Sequence, residues 1–191
     1  MQGGSPEAVL GYWFEPGQQR RWFEDSATTD AEIRARFAEL WQRACEKRLD
    51  HWADSARGRL ALVILLDQFS RNLNRNSPLA FAEDARAEQL ALGAEAAGHA
   101  AELKPIERAF LYMPLMHAED LRLQTRGVEL FEALGLESKD CSQFPKYARL
   151  HRDLIARFGR FPHRNAVLGR ESTAAEVEFL AQGGMFGGGA S

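Results

Sequence analysis

The run Leu60 to Leu66, reading LALVILL, limits what this chain can fold into more than any other stretch of its 191 residues. Seven consecutive apolar residues leave no polar face on a helix or a strand, so the element they form is enclosed by protein. No Gly or Pro closes the run, and Asp67, Gln68, Phe69 and Arg71 continue it at helical spacing. The expected element is a helix at the centre of a bundle. Seven residues are too few to cross a bilayer, which takes about 20 apolar positions.

Polar groups emerge directly from that buried helix. Asp67 and Arg71 stand four residues apart on one face, and Gln68, Asn72 and Arg75 form the adjacent stripe. Two readings are open: internal ion pairs and hydrogen bonds that fix how neighbouring helices dock, or one wall of a polar pocket.

A second constraint lies near the other end. Arg157 to Arg170, RFGRFPHRNAVLGR, places four arginines and His163 among Phe158, Phe161, Val167 and Leu168, with no acid. Buried guanidinium groups need acceptors, so something must meet them. From Cys141 to Arg170 seven Lys and Arg face the single Asp153, a local charge of +6 in a chain of net charge −3. Either this basic end docks on acidic helices of the same chain, or it holds an anion. The negative overall charge argues against a nucleic-acid coat.

The remaining segments also step by three and four residues, predicting an all-α fold without a sheet. Short helical runs are expected over Pro6 to Phe14 and after Thr173, where Glu176 completes a capping-box spacing. Longer ones are expected over Asp30 to Leu49, with Thr29 and Glu32 as another capping box, and from Ser77-Pro78 to Gly98. Lys104-Pro105 opens a further helix. Pro114 should break or kink it, with a new run from Leu115 to Leu134 stopped by Gly135. On that run His117, Asp120, Leu121, Gln124, Val128 and Phe131 would share one face, polar at its start. Pro145 suits the first turn of the last long helix, with a stripe of Tyr147, Leu150, Leu154, Ile155 and Phe158, an Arg149–Asp153 pair opposite, and Gly159 as C-cap. Residues 157–170 then form a loop between helices.

All four tryptophans fall in the first 52 residues, as expected of core packing. Cys45 and Cys141 have no paired neighbour, Met1 to Glu7 carries no export pattern, and a reducing cytoplasm is the expected setting. His117 and Asp120 are spaced for metal ligation, but two ligands define no site, so no metal is assigned and no cofactor is specified. One domain over residues 1–182 is expected, with a mobile Gly-rich tail from Gly183 to Ser191.

The segments LALVILLDQFSRNLNR, ERAFLYMPLMHAEDLRLQ and RFGRFPHRNAVLGRESTAAEVEFL, with GYWFEPG and RWF near the start, together resemble the bacterial domain-of-unknown-function family 924 over nearly the whole chain. The resemblance implies an all-α fold related to tetratricopeptide-like hairpins and no established activity. The tetratricopeptide consensus and a 34-residue self-similarity are absent, so a compact irregular bundle of about seven to nine helices is expected.

Two functional classes follow. In the first, the polar segments converge on a pocket for a small anionic molecule. His117, Asp120 and His163 are then the candidate acid–base groups, and Asp67, Gln68, Arg71, Asn72, Gln124, Arg160, Arg164, Asn165 and Arg170 the candidate ligand-binding groups. In the second, the same arginines clamp an acidic peptide in a helical groove.

Overall fold

The computed structural model describes residues 4–23 and 26–184. Among these residues the chain forms eight α-helices and no strand. The expectation of a mobile tail falls, from residue 185 onward, outside the described residues. No described helix is long and apolar enough to cross a membrane.

Local chemistry starts each helix. Ser5 accepts from the Ala8 amide and Pro6 occupies the first turn of α1 (Pro6–Trp13). Ser26, accepting from Thr29, opens α2 (Ala27–Cys45). The expected Thr29–Glu32 box does not form. Thr29 instead accepts from Arg21 Nε at 3.1 Å, and Glu32 meets Arg21 and the Tyr12 hydroxyl.

Helix α3 covers residues 56–73. It is capped by Ser55, α-helical over Ala56–Val63, π-helical over Ile64–Phe69 and α-helical again over Ser70–Leu73. Every residue from Leu60 to Leu66 is 0 % exposed. Helices α1, α2, α4 (Asp84–Ala96) and α5 (Pro105–His117) pack around it. A π-helical turn inside an α-helix is rare and often marks a functional position; here it carries Asp67.

The expected break at Pro114 does not occur. α5 continues through it, and the chain turns instead at Ala118, whose backbone is extended. Proline in a helix interior costs about 3 kcal/mol. Against this, Phe110, Leu111, Met113, Leu115 and Met116 are all buried, each worth roughly 1.5–3 kcal/mol, and burial wins. His117 therefore ends α5, while Asp120 caps α6 (Leu121–Glu137). The single face expected to carry His117, Asp120 and Gln124 is split between two helices.

Gly135 does not stop α6 either. A Cβ there would lie 2.8 Å from Pro145 Cγ, so this glycine lets the start of α7 (Phe144–Phe158) press against α6. Gly159, at φ 71°, ends α7 as expected. The buried face of α7 is Phe144, Ala148, Leu154 and Ile155; Tyr147 and Leu150, expected in the apolar stripe, are exposed instead. Arg149 pairs with Glu132 rather than Asp153, which takes Arg152. The segment from Ser77 begins as a 3-10 turn, Pro78–Phe81, before α4. Thr173 and Glu176 form the expected capping box of α8 (Ala174–Ala181). Trp13 and Trp52 are buried, Trp22 and Trp41 pack against the core, and both cysteines are free thiols.

Candidate functional site

The polar cluster is built outward from Asp67, whose side chain is 0 % exposed. Its Oδ1 lies 2.8 Å from Arg71 Nη1, one turn further along α3, and 2.7 Å from His117 Nδ1 at the end of α5. Gln68 donates to Oδ2, and Arg71 also donates to the Asp67 carbonyl at 2.9 Å. Burial alone would raise the Asp67 carboxyl, but Arg71 and His117 more than offset it and hold it well below the ordinary carboxylate range.

An ionised Asp67 sets the state of the histidine. Burial holds the His117 pKa below its ordinary value, with Asp67 opposing and Arg71 and Arg164 reinforcing the shift. The imidazole is thus neutral at pH 7, its proton sits on Nδ1 toward the carboxylate, and the lone pair is on Nε2. Among the described residues Nε2 has no hydrogen-bond partner, and the His117 side chain is 17 % exposed.

Two arginines and a second carboxylate complete the centre. Asp84, at the start of α4, lies 3.1 Å from Arg71 Nη2 and 3.3 Å from Arg164 Nη1. Burial raises the Asp84 carboxyl, even with two arginines beside it. Arg164, on the 3-10 turn Pro162–Arg164, is held between the rings of Phe81 at 4.6 Å and Phe161 at 4.5 Å and donates to the His117 carbonyl at 3.1 Å. Its side chain is only 8 % exposed and its Nε has no acceptor. Burial and the like charge of Arg71 push its pKa down to about 10, so it stays charged. The guanidinium is short of acceptors.

Asp67, Gln68, Arg71, His117 and Arg164 are therefore brought together. Other candidates are placed elsewhere. Asp120 caps α6, accepting from the Arg122 amide at 2.7 Å and pairing with the Arg122 side chain at 2.9 Å. Gln124 holds the carbonyls of Met116 and Ala118 at 2.6 and 2.8 Å, closing the end of α5. Asn72, with Arg75, binds Asp30 of α2. Arg160 forms two bonds to Glu176, at 2.7 and 2.8 Å. Arg170 pairs with Glu119 at 2.6 Å and with Asn165, which also bonds Ser172. His163 is exposed, 5.5 Å from the Phe161 ring, without a hydrogen bond among the described residues. The basic stretch thus docks largely on carboxylates of its own chain.

Asp84, Glu88 and His151 belong beside this centre and were not expected there. The His151 ring lies 6.3 Å from His117, with Nδ1 held by the Tyr147 carbonyl at 2.8 Å, and burial pushes its pKa down to about 3. Asp84 and Glu88, an acidic i, i+4 pair on an alanine-rich helix, were the available signal. An open groove of about 660 Å³ lies elsewhere, lined by Gly11, Tyr12, Phe14, Arg36 and Arg57 among others. Arg57 is paired there with Glu107 at 3.2 Å, and the groove has no counterpart of the Asp67–His117 contact.

Fold and centre together define an all-α protein with a buried carboxylate–imidazole–guanidinium cluster between three helices and a basic loop. The chain belongs to the bacterial proteins of unknown function of family DUF924, whose family model matches residues 9–184. It is similar to the protein of unknown function ATU0120 from Agrobacterium tumefaciens, at 36% identity and a TM-score of 0.86 over 93% of this chain and 97% of that one. No curated protein matches the chain.

Proposed function

We propose that the protein binds a small anionic molecule at the Asp67–His117 centre and acts on it by acid–base chemistry. The observation that carries this reading is His117 itself. A fully buried carboxylate orients its Nδ1 at 2.7 Å, while Nε2 takes no hydrogen bond among the described residues and the side chain stays 17 % exposed, an arrangement that suits a general base. Anion preference is supported by Arg164, whose one carboxylate partner, Asp84, is shared with Arg71. An acidic-peptide clamp has less support, because Arg160 and Arg170 are already occupied by Glu176 and Glu119.

A thermal-shift screen of phosphorylated and carboxylated metabolites tests the reading. A ligand at 100 times its Kd should stabilise the wild type by about 2.7 kcal/mol. Measured against each variant's own melting temperature, the shift should survive in His117→Ala and vanish in Arg164→Ala. A panel that moves no melting temperature, or an unchanged shift in Arg164→Ala, would count against it.

A further inference from the structure

Each charge in the Asp67 centre is matched inside the chain. Asp67 meets Arg71 at 2.8 Å, Asp84 meets Arg71 at 3.1 Å and Arg164 at 3.3 Å, and Arg164 turns Nη2 to the His117 carbonyl at 3.1 Å. Two carboxylates thus alternate with two guanidinium groups, and with a neutral imidazole the centre sums to zero. It is also withdrawn from water, with Asp67 and Arg164 buried and Arg71 and Asp84 half-buried. The groups that face His117 supply no surplus of positive charge. They are Asp67 and Arg71 on α3, Asp84 on α4 with Glu88 one turn further, Arg164 and His163 on the basic loop, and His151 on α7. Burial keeps His151 and His163 uncharged at pH 7, and Glu119 and Asp120, just after His117, are paired with Arg170 and Arg122.

An anion entering this centre brings a charge that nothing there cancels, and an uncompensated charge away from water is costly. One group is built to supply the missing positive charge. His117 holds Nδ1 at 2.7 Å from Asp67 Oδ1, and its Nε2 takes no hydrogen bond among the described residues. A proton on Nε2 makes both ring nitrogens donors, one to Asp67 and one to the incoming anion. One imidazole cancels one negative charge, and the carboxyl groups of Asp84 and Glu88 on α4 oppose a second.

Resting on the reading of this centre as an anion site, we propose that its ligand is a monoanion, a carboxylate rather than a phosphate dianion, and that it binds together with one proton taken up on His117 Nε2. The proton comes from solvent, one N–H bond forms, and no bond of the ligand changes on binding. The imidazole that is neutral in the free protein is then the acid that faces the bound molecule. Burial and the two arginines hold the free histidine below its ordinary value, so the proton arrives with the anion and not before it. Above the free value each rise of one pH unit weakens binding by about tenfold for a single proton taken up, and below it the ring is already charged and the affinity is level.

The test uses the full chain with acetate, pyruvate and benzoate as monoanions and sulfate as a dianion, read by titration calorimetry and by nitrogen-15 NMR of the His117 ring. At least one carboxylate should bind, and more tightly than sulfate. Its Kd should rise by about tenfold between about pH 6.5 and 7.5, and calorimetry in two buffers of unlike ionisation enthalpy should read about one proton taken up per carboxylate. The ring should pass from neutral to imidazolium as the site fills. The pH dependence should disappear in His117→Ala and remain in Glu88→Gln. Sulfate binding as tightly as the carboxylates, a carboxylate bound beside a ring that stays neutral, or loss of the pH dependence in Glu88→Gln would overturn the proposal and leave the anion site standing. No binding by any of the four probes would end both.

Discussion

Leu66→Asp should yield no folded protein. Leu66 is 0 % exposed in the π-helical turn of α3, with Leu65 and Asp67 on either side of it equally enclosed. The polar groups nearby, Arg71 and His117, are already committed to Asp67, one as an ion pair and the other as a hydrogen-bond donor. A carboxylate introduced at Leu66 has no partner and costs several kcal/mol, comparable with a total stability of about 5–15 kcal/mol. Circular dichroism and size exclusion should show an unfolded or aggregated chain. A soluble variant with the wild-type melting temperature would mean that α3 is not the element on which the others depend.

Asp67→Ala is the second large effect. Removing this carboxylate leaves Arg71 with Asp84 alone and leaves the Nδ1 proton of His117 without an acceptor in a buried place. Breaking a buried pair in this way costs about 3–5 kcal/mol, or roughly 10 °C in melting temperature for a chain of this size. His117→Ala should cost much less, since Asp67 keeps Arg71 and Gln68. The pH dependence follows from the depressed carboxyl of Asp67. Its contribution is fully present above the unfolded value near pH 4 and is lost as pH falls through the lower folded value. The part of the Asp67→Ala deficit that comes from the carboxylate should therefore be fully present at pH 7 and close only in strong acid. Equal costs for the two substitutions would mean that the pair serves mainly to lock α3 to α5.

The parts of this centre that were legible in the sequence are those set by spacing within one element. Asp67 and Arg71 are i and i+4 on a helix whose burial was evident from LALVILL, and their ion pair is formed. Gly159 and the Thr173–Glu176 box were readable because they depend on local backbone geometry. Asp120 was misplaced for a physical reason. A proline normally ends a helix, so the break was expected at Met113, whereas the buried face of α5 carries the helix one turn further. Asp120 before Leu121 was the N-cap signal that would have corrected this. The Asp84–Arg164 pair was not legible, because the two lie 80 residues apart and only the packing of the basic loop onto α4 brings them together. The fate of the loop arginines was open for the same reason: a local charge of +6 demands acceptors without saying which helices supply them.

Nitrogen-15 NMR of the His117 imidazole tests the central claim most directly, because tautomer and charge decide whether this residue is a base or half of an ion pair. The expected result is a neutral ring at pH 7 with the proton on Nδ1 and none on Nε2, titrating below its ordinary value near 6.5, and a weaker tautomer preference in Asp67→Asn. An Nε2–H tautomer, or an imidazole already charged at neutral pH, would contradict it.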